Sequence, residues 1–102
     1  MNLTYPTAII LQAIEQGYRH GFDIMDVTGL PSGTVYPAVR RLEKEGLIVS
    51  QWESDEDAFA NNRPARCYYE MNEFGADFLA ECRARFRALP KLRPSQVRRS
   101  NA

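Results

Sequence analysis

Three things are scarce in these 102 residues: net charge, the side chains of metal and nucleophile chemistry, and long apolar runs. Lys and Arg number 13, as do Asp and Glu, so the formal net charge is zero. That excludes a chain that holds a polyanion by bulk charge alone. No apolar run approaches the ~20 residues that span a bilayer. The opening MNLTYPTAIILQAIEQ has no basic lead, and it places Gln12, Glu15 and Gln16 inside its apolar stretch. It therefore does not read as a secretory signal, and a cytoplasmic protein with no membrane partner is expected. The two cysteines, Cys67 and Cys82, show no framework spacing and read as free thiols. With the single histidine, His20, they give no zinc pattern. No glycine-rich phosphate loop is present, and a lone histidine offers no set of partners for a nucleophile and its base. No enzyme, metal or cofactor is expected.

What is present is a chain with 44% apolar and 25% charged residues, enough for one folded domain. A core this small is commonly helped by self-association. The charge is unevenly placed. Residues 51–62 carry −4, whereas residues 91–102 carry +4 through Lys91, Arg93, Arg98 and Arg99.

Punctuation and periodicity divide the chain. Thr4 to Gln16 reads as a helix capped by Thr4, with Pro6 in its first turn and a stripe of Ile9, Ile10, Ala13 and Ile14. His20 or Gly21 to Val27 reads as a short second helix with Phe22, Ile24, Met25 and Val27 as apolar contacts, broken by Gly29-Leu30-Pro31. Ser32, as cap, to Glu45 makes a third helix, closed by Gly46. Ile48–Trp52 and Arg66–Met71 are strands, and Glu53–Ala65 between them reads as a loop. Asn72 caps a last helix that runs to about Leu89 and stops at Pro90. The fold expected is mainly α with a small β-hairpin: a winged helix-turn-helix with a C-terminal dimerisation helix. Residues 1–71 would form the DNA-binding domain and 72–90 its dimerisation helix, with 91–102 a basic, disordered tail.

The third helix carries the clearest functional signal. At roughly 100° per residue, Val35, Ala38, Val39 and Leu42 fall on one side and Gly33, Pro37, Arg40 and Lys44 on the other, flanked by Tyr36 and Arg41. The outer face is cationic and aromatic, and the acids Glu43 and Glu45 fall to the sides. Such a face suits a major groove, where Arg reads guanine and Lys or Tyr reaches phosphate. Ser32 and Thr34 at the helix start add hydroxyls where backbone N–H groups also favour phosphate. Pro37, near the N-terminal end, leaves a locally flat surface.

In the last helix Phe74, Phe78, Cys82 and Phe86 recur every four residues, widened by Leu79 and Leu89. This stripe is either the chain's own core or a dimer interface with the first helix, through Ile9 and Ala13, as neighbour. The amount of apolar surface favours the dimer, which would set two reading helices about one DNA turn apart on a pseudo-palindrome.

The string Gly33-Thr34-Val35-Tyr36-Pro37, followed by Arg40-Arg41-Leu42-Glu43-Lys44-Glu45-Gly46-Leu47-Ile48, resembles the PadR-like family of transcriptional regulators. So do His20-Gly21-Phe22-Asp23-Ile24, Tyr68-Tyr69 and Asn72-Glu73-Phe74-Gly75, so the resemblance covers about residues 5–89. It implies a winged helix, dimerisation through the last helix with help from the first, and operator binding. By position it implies that Thr34, Tyr36, Pro37, Arg40, Arg41 and Lys44 lie on the DNA-binding helix and that Arg63 and Arg66 flank the wing tip. Two departures stand out. Pro31 precedes Ser32 where the family usually has serine before proline. The wing also carries Glu53, Asp55, Glu56 and Asp57, which phosphates would repel, so wing contacts should be limited to Arg63 and Arg66 or be absent. The resulting expectation is a homodimeric repressor of double-stranded DNA. The alternatives are a winged-helix protein-interaction module without DNA binding, or a repressor gated by an aromatic small molecule in a dimer pocket near Trp52, Tyr5 or the phenylalanines.

Overall fold

The computed structural model of the chain describes residues 4–86 and 92. In chain order the elements are α1 (Tyr5–Glu15), α2 (Gly21–Thr28), α3 (Ser32–Lys44), β1 (Ile48–Trp52), α4 (Asp55–Ala60), β2 (Cys67–Met71) and α5 (Glu73–Arg85).

The Thr4 hydroxyl accepts the Thr7 amide at 3.3 Å and opens α1. Every residue from Thr7 to Ile14 is buried. The one-sided stripe read from the sequence is in fact a helix covered all round, because α2, α3, α5 and β2 all pack against it. Residues 29–31 make the turn between α2 and α3. Gly29 takes the left-handed conformation (φ 73°) and its amide bonds to Met25 O at 2.9 Å. Pro31, not Ser32, occupies the cap position of α3 and offers no side-chain bond; Ser32 is the first helical residue. The cap expected of Ser32 is thus displaced by one, since proline's fixed φ suits the position just outside the helix. Phe22 is 65% exposed rather than a core contact, whereas Ile24 and Val27 are buried.

Gly46 (φ 77°) ends α3 in a Schellman pair: its amide bonds to Glu43 O and that of Leu47 to Leu42 O, each at 3.0 Å. Asn72 then ties the far ends of the fold together. Its Nδ2 donates to Gly46 O at 2.7 Å, and its Oδ1 accepts the Gly75 amide at 2.9 Å, capping α5. Gly75 is required there, because a Cβ would run into Leu47 O and Met71.

The strands pair antiparallel with Ile48 opposite Met71 and Trp52 opposite Cys67. The other edge of β2 is met by the α1–α2 connection, where Tyr69 N donates to Arg19 O at 2.8 Å. The stretch between the strands is not all loop. Ser54 accepts the Asp57 amide at 3.1 Å and starts α4, whose first turn holds Asp55, Glu56 and Asp57. A hydroxyl cap and acids at the positive end of the helix dipole explain this short helix.

α5 ends at Arg85, earlier than expected, and Phe86 is already extended. Residues 87–89, Leu89 among them, lie outside the described residues, as does most of the basic tail. Leu92, read as part of that tail, is buried in the core cluster.

Candidate nucleic-acid interface

The orientation of α3 is set from inside. Val35, Val39 and Leu42 are buried in the core, where α1, α2 and β1 pack against α3. Each such side chain is worth roughly 1.5–3 kcal/mol when buried, so rolling the helix would cost several times thermal energy. The opposite face is therefore held outward. Pro37, Arg40, Arg41 and Lys44 are all exposed, and with Glu45 they line one shallow depression. Among the described residues none of the three cations has an ion-pair partner. Ser32 is exposed and Thr34 half-buried at the helix start.

Tyr36 behaves differently from its neighbours. Its ring leans back over α2, so close to Gly21 that a Cβ there would strike the phenol. It is 37% exposed and forms a wall between the outer face of α3 and a cleft beside the hairpin.

The two wing arginines separate. Arg63 is clamped by Glu53, Nη2 to Oε2 at 2.8 Å and Nη1 to Oε1 at 2.5 Å, with Nη1 also donating to Pro64 O. The Arg63 hydrogen bond holds the Glu53 carboxyl below its ordinary range, and Glu53 in turn raises Arg63. Arg63 therefore closes the base of the wing tip instead of reaching outward. Arg66 hydrogen-bonds the same glutamate through its backbone, Glu53 N donating to Arg66 O at 2.8 Å and Arg66 N to Glu53 Oε1 at 3.4 Å, and its positive charge adds a little to the lowering of the Glu53 pKa.

The residues expected at a dimer face also separate. Ile9, Ala13, Leu79 and Cys82 are buried within the single chain. Burial pushes the Cys82 thiol up, as suits an inert core side chain. Phe78 and Phe86 are half-buried, Phe86 with its ring 6.1 Å from that of Tyr5, and Phe74 is 70% exposed. Arg83 clamps Glu15 at 2.6 Å and fixes α5 against α1.

The sequence profile of the Transcriptional regulator PadR-like family matches residues 10–81. The chain belongs to this family. It is thus a DNA-binding transcriptional regulator by class, not an enzyme. Among curated proteins none matches the chain. Solved structures are similar. A PadR family transcription regulator from Clostridium difficile is 27% identical, with a TM-score of 0.69 over 82% of this chain and 88% of that one. A PadR-like transcription factor from Bacteroides fragilis is 25% identical, with a TM-score of 0.62 over 79% of each chain. A transcriptional regulator from Clostridium thermocellum, 23% identical with a TM-score of 0.67 over 81% of this chain and 83% of that one, shares the fold.

Within this PadR-like chain the described residues contain no cluster of His, Cys, Asp or Glu able to hold a metal and no helix long and apolar enough to cross a membrane. His20, buried at the start of α2, lies 2.9 Å from Asp23 and edge-on to Tyr68. It joins α2 to the hairpin. Sequence reasoning did not find that Arg63 is committed to Glu53, nor that Phe22 and Trp52 face one cleft.

Proposed function

We propose that this protein is a cytoplasmic repressor that binds double-stranded DNA as a homodimer, with α3 of each copy in the major groove of one half of a pseudo-palindromic operator. The observation that carries the reading is the outward face of Pro37, Arg40, Arg41 and Lys44, backed by a buried face that prevents the helix from turning. In this role Arg40 reads a base edge, Arg41, Lys44 and Tyr36 take phosphates, and Ser32 and Thr34 bind phosphate beside the first amides of α3. Arg66 supplies the wing's contact, and Arg63 is left to its structural pair. The dimer contact falls to Phe74, Phe78 and Phe86, with Tyr5 beside them.

The test is fluorescence anisotropy of a labelled duplex from the intergenic region next to the protein's own gene. Tight binding, weakened by about 1–3 kcal/mol in Arg40→Ala with the fold intact, is the expected result. Equal affinity of the variant would remove α3 from the reading role. A second reading is a protein-interaction module, favoured by the exposed acids Asp55, Glu56 and Asp57 on α4. It predicts no binding to any duplex even at low salt.

A further inference from the structure

Uncompensated charge gathers at two places on the molecule. On the outer face of α3 it is positive. On the hairpin and α4 it is negative: residues 51–62 hold Glu53, Asp55, Glu56 and Asp57 and no Lys or Arg. Arg63 takes up Glu53. Asp55, Glu56 and Asp57, with Glu70 of β2, are exposed, and among the described residues none of these four has an ion-pair partner. Asp57 and Glu70 border a depression of about 600 Å³ along the hairpin, with Val49, Trp52 and Tyr68. Val49 is 54% exposed and Trp52 68%, so open apolar surface lies beside the acids. A segment of complementary chemistry is present in the chain itself. Residues 93–102, outside the described residues, hold Arg93, Arg98 and Arg99 and no acid, with Val97 beside the arginine pair. They follow Leu92, whose side chain is buried in the core cluster together with Ile48 and Tyr69 of the hairpin. Fully stretched, the chain from that anchor to Arg98 or Arg99 spans about 20–25 Å, and the smallest extent of the molecule is 22 Å.

We propose that residues 93–99 dock on this depression of the same chain, with Arg98 and Arg99 on Asp57 and Glu70 and Val97 against Val49 and Trp52. The cationic face of α3 repels the segment and the acidic border attracts it, so the charge on the molecule selects the place. Exposed ion pairs are individually weak. A segment tethered at Leu92, however, has an effective concentration on the order of millimolar, so an affinity of the same order covers the depression about half the time. The docked arginines offset the acids of the wing, and phosphates approaching α3 then meet less repulsion. That consequence rests on α3 being the reading helix, but the docking itself needs no DNA.

The test is therefore made without DNA, on the full chain. Trp52 is the only tryptophan and it borders the depression. Acrylamide is neutral, so its quenching of Trp52 emission reports exposure without attraction to either charge. At low salt the quenching constant of the wild type should be about half that of Arg98→Glu/Arg99→Glu or of Asp57→Arg/Glu70→Arg, matching a depression covered about half the time. Combining the two charge reversals should restore the wild-type value. At 1 M salt, where the screening length is about 3 Å, all four proteins should give one constant. Equal constants for the wild type and both reversals at low salt would overturn the proposal. So would a combined variant that stays as open as either reversal alone. A constant that falls as protein concentration rises would also overturn it, by assigning the depression to the segment of a second copy. If Asp57→Arg loosens α4, Glu70→Arg alone carries the same comparison. Absence of binding to any duplex would sink the reading helix and leave the docked segment standing.

Discussion

α3 and the hairpin both carry arginines near the expected DNA surface, and they use them in opposite ways. On α3 the charge is sorted around a helix: three apolar residues lock one side, so Arg40, Arg41 and Lys44 are held outward. On the hairpin Glu53, Asp57 and Glu70 gather round one depression, and Arg63 is taken up by Glu53. The difference teaches that an arginine near a binding surface is available only if no closer carboxylate claims it. Net charge does not reveal this, since a chain with balanced totals can still present one uncompensated face.

The comparison can be broken most severely through the core of α3. Leu42→Ala should cost about 2–5 kcal/mol in urea unfolding, whereas Arg40→Ala should stay within about 0.5 kcal/mol of wild type. Equal losses would mean that Arg40 is not held clear of the fold. On the hairpin, Ser54→Ala should cost about 1 kcal/mol of local helix stability. Hydrogen exchange should place that loss in α4, with α3 protection unchanged; uniform loss across both would contradict a wing tip that folds on its own cap. The smallest effect is a pH dependence. The Arg63 hydrogen bond lowers the Glu53 pKa below the ordinary 4.5, so its contribution to stability is present above that value and is lost as pH falls through the lower folded one. The stability gap between wild type and Arg63→Met should therefore shrink as the solution is acidified below about pH 4.5. A gap that stays constant would assign Arg63 a role other than this pair.

Much of the fold was legible because it is written locally. The Gly29-Leu30-Pro31 break, the Gly46 stop, the Asn72 cap and the apolar spacing of Val35, Val39 and Leu42 each act within a turn or two of chain. What escaped depends on distant partners. α4 is one short helix among Asp, Asn and Ser, started where the Asp57 amide donates to Ser54 Oγ and Ala58 N to Ser54 O. The commitment of Arg63 requires Glu53, ten residues earlier on the other side of α4. Periodicity marked Leu79 and Cys82 as apolar, but it cannot say whether α1 of the same chain or a second copy covers them; here α1 does. Thr7 and Gln12 are buried for the same reason, being wrapped by elements far along the sequence.

The most direct measurement is the salt dependence of duplex binding by wild type and by Arg40→Ala/Lys44→Ala, both shown to melt alike. If the outer face of α3 lies on DNA, the double variant binds more weakly at every salt concentration, and its slope of log K against log salt is shallower by roughly 0.9, for the one phosphate that Lys44 no longer neutralises. Superimposable binding curves would contradict the account.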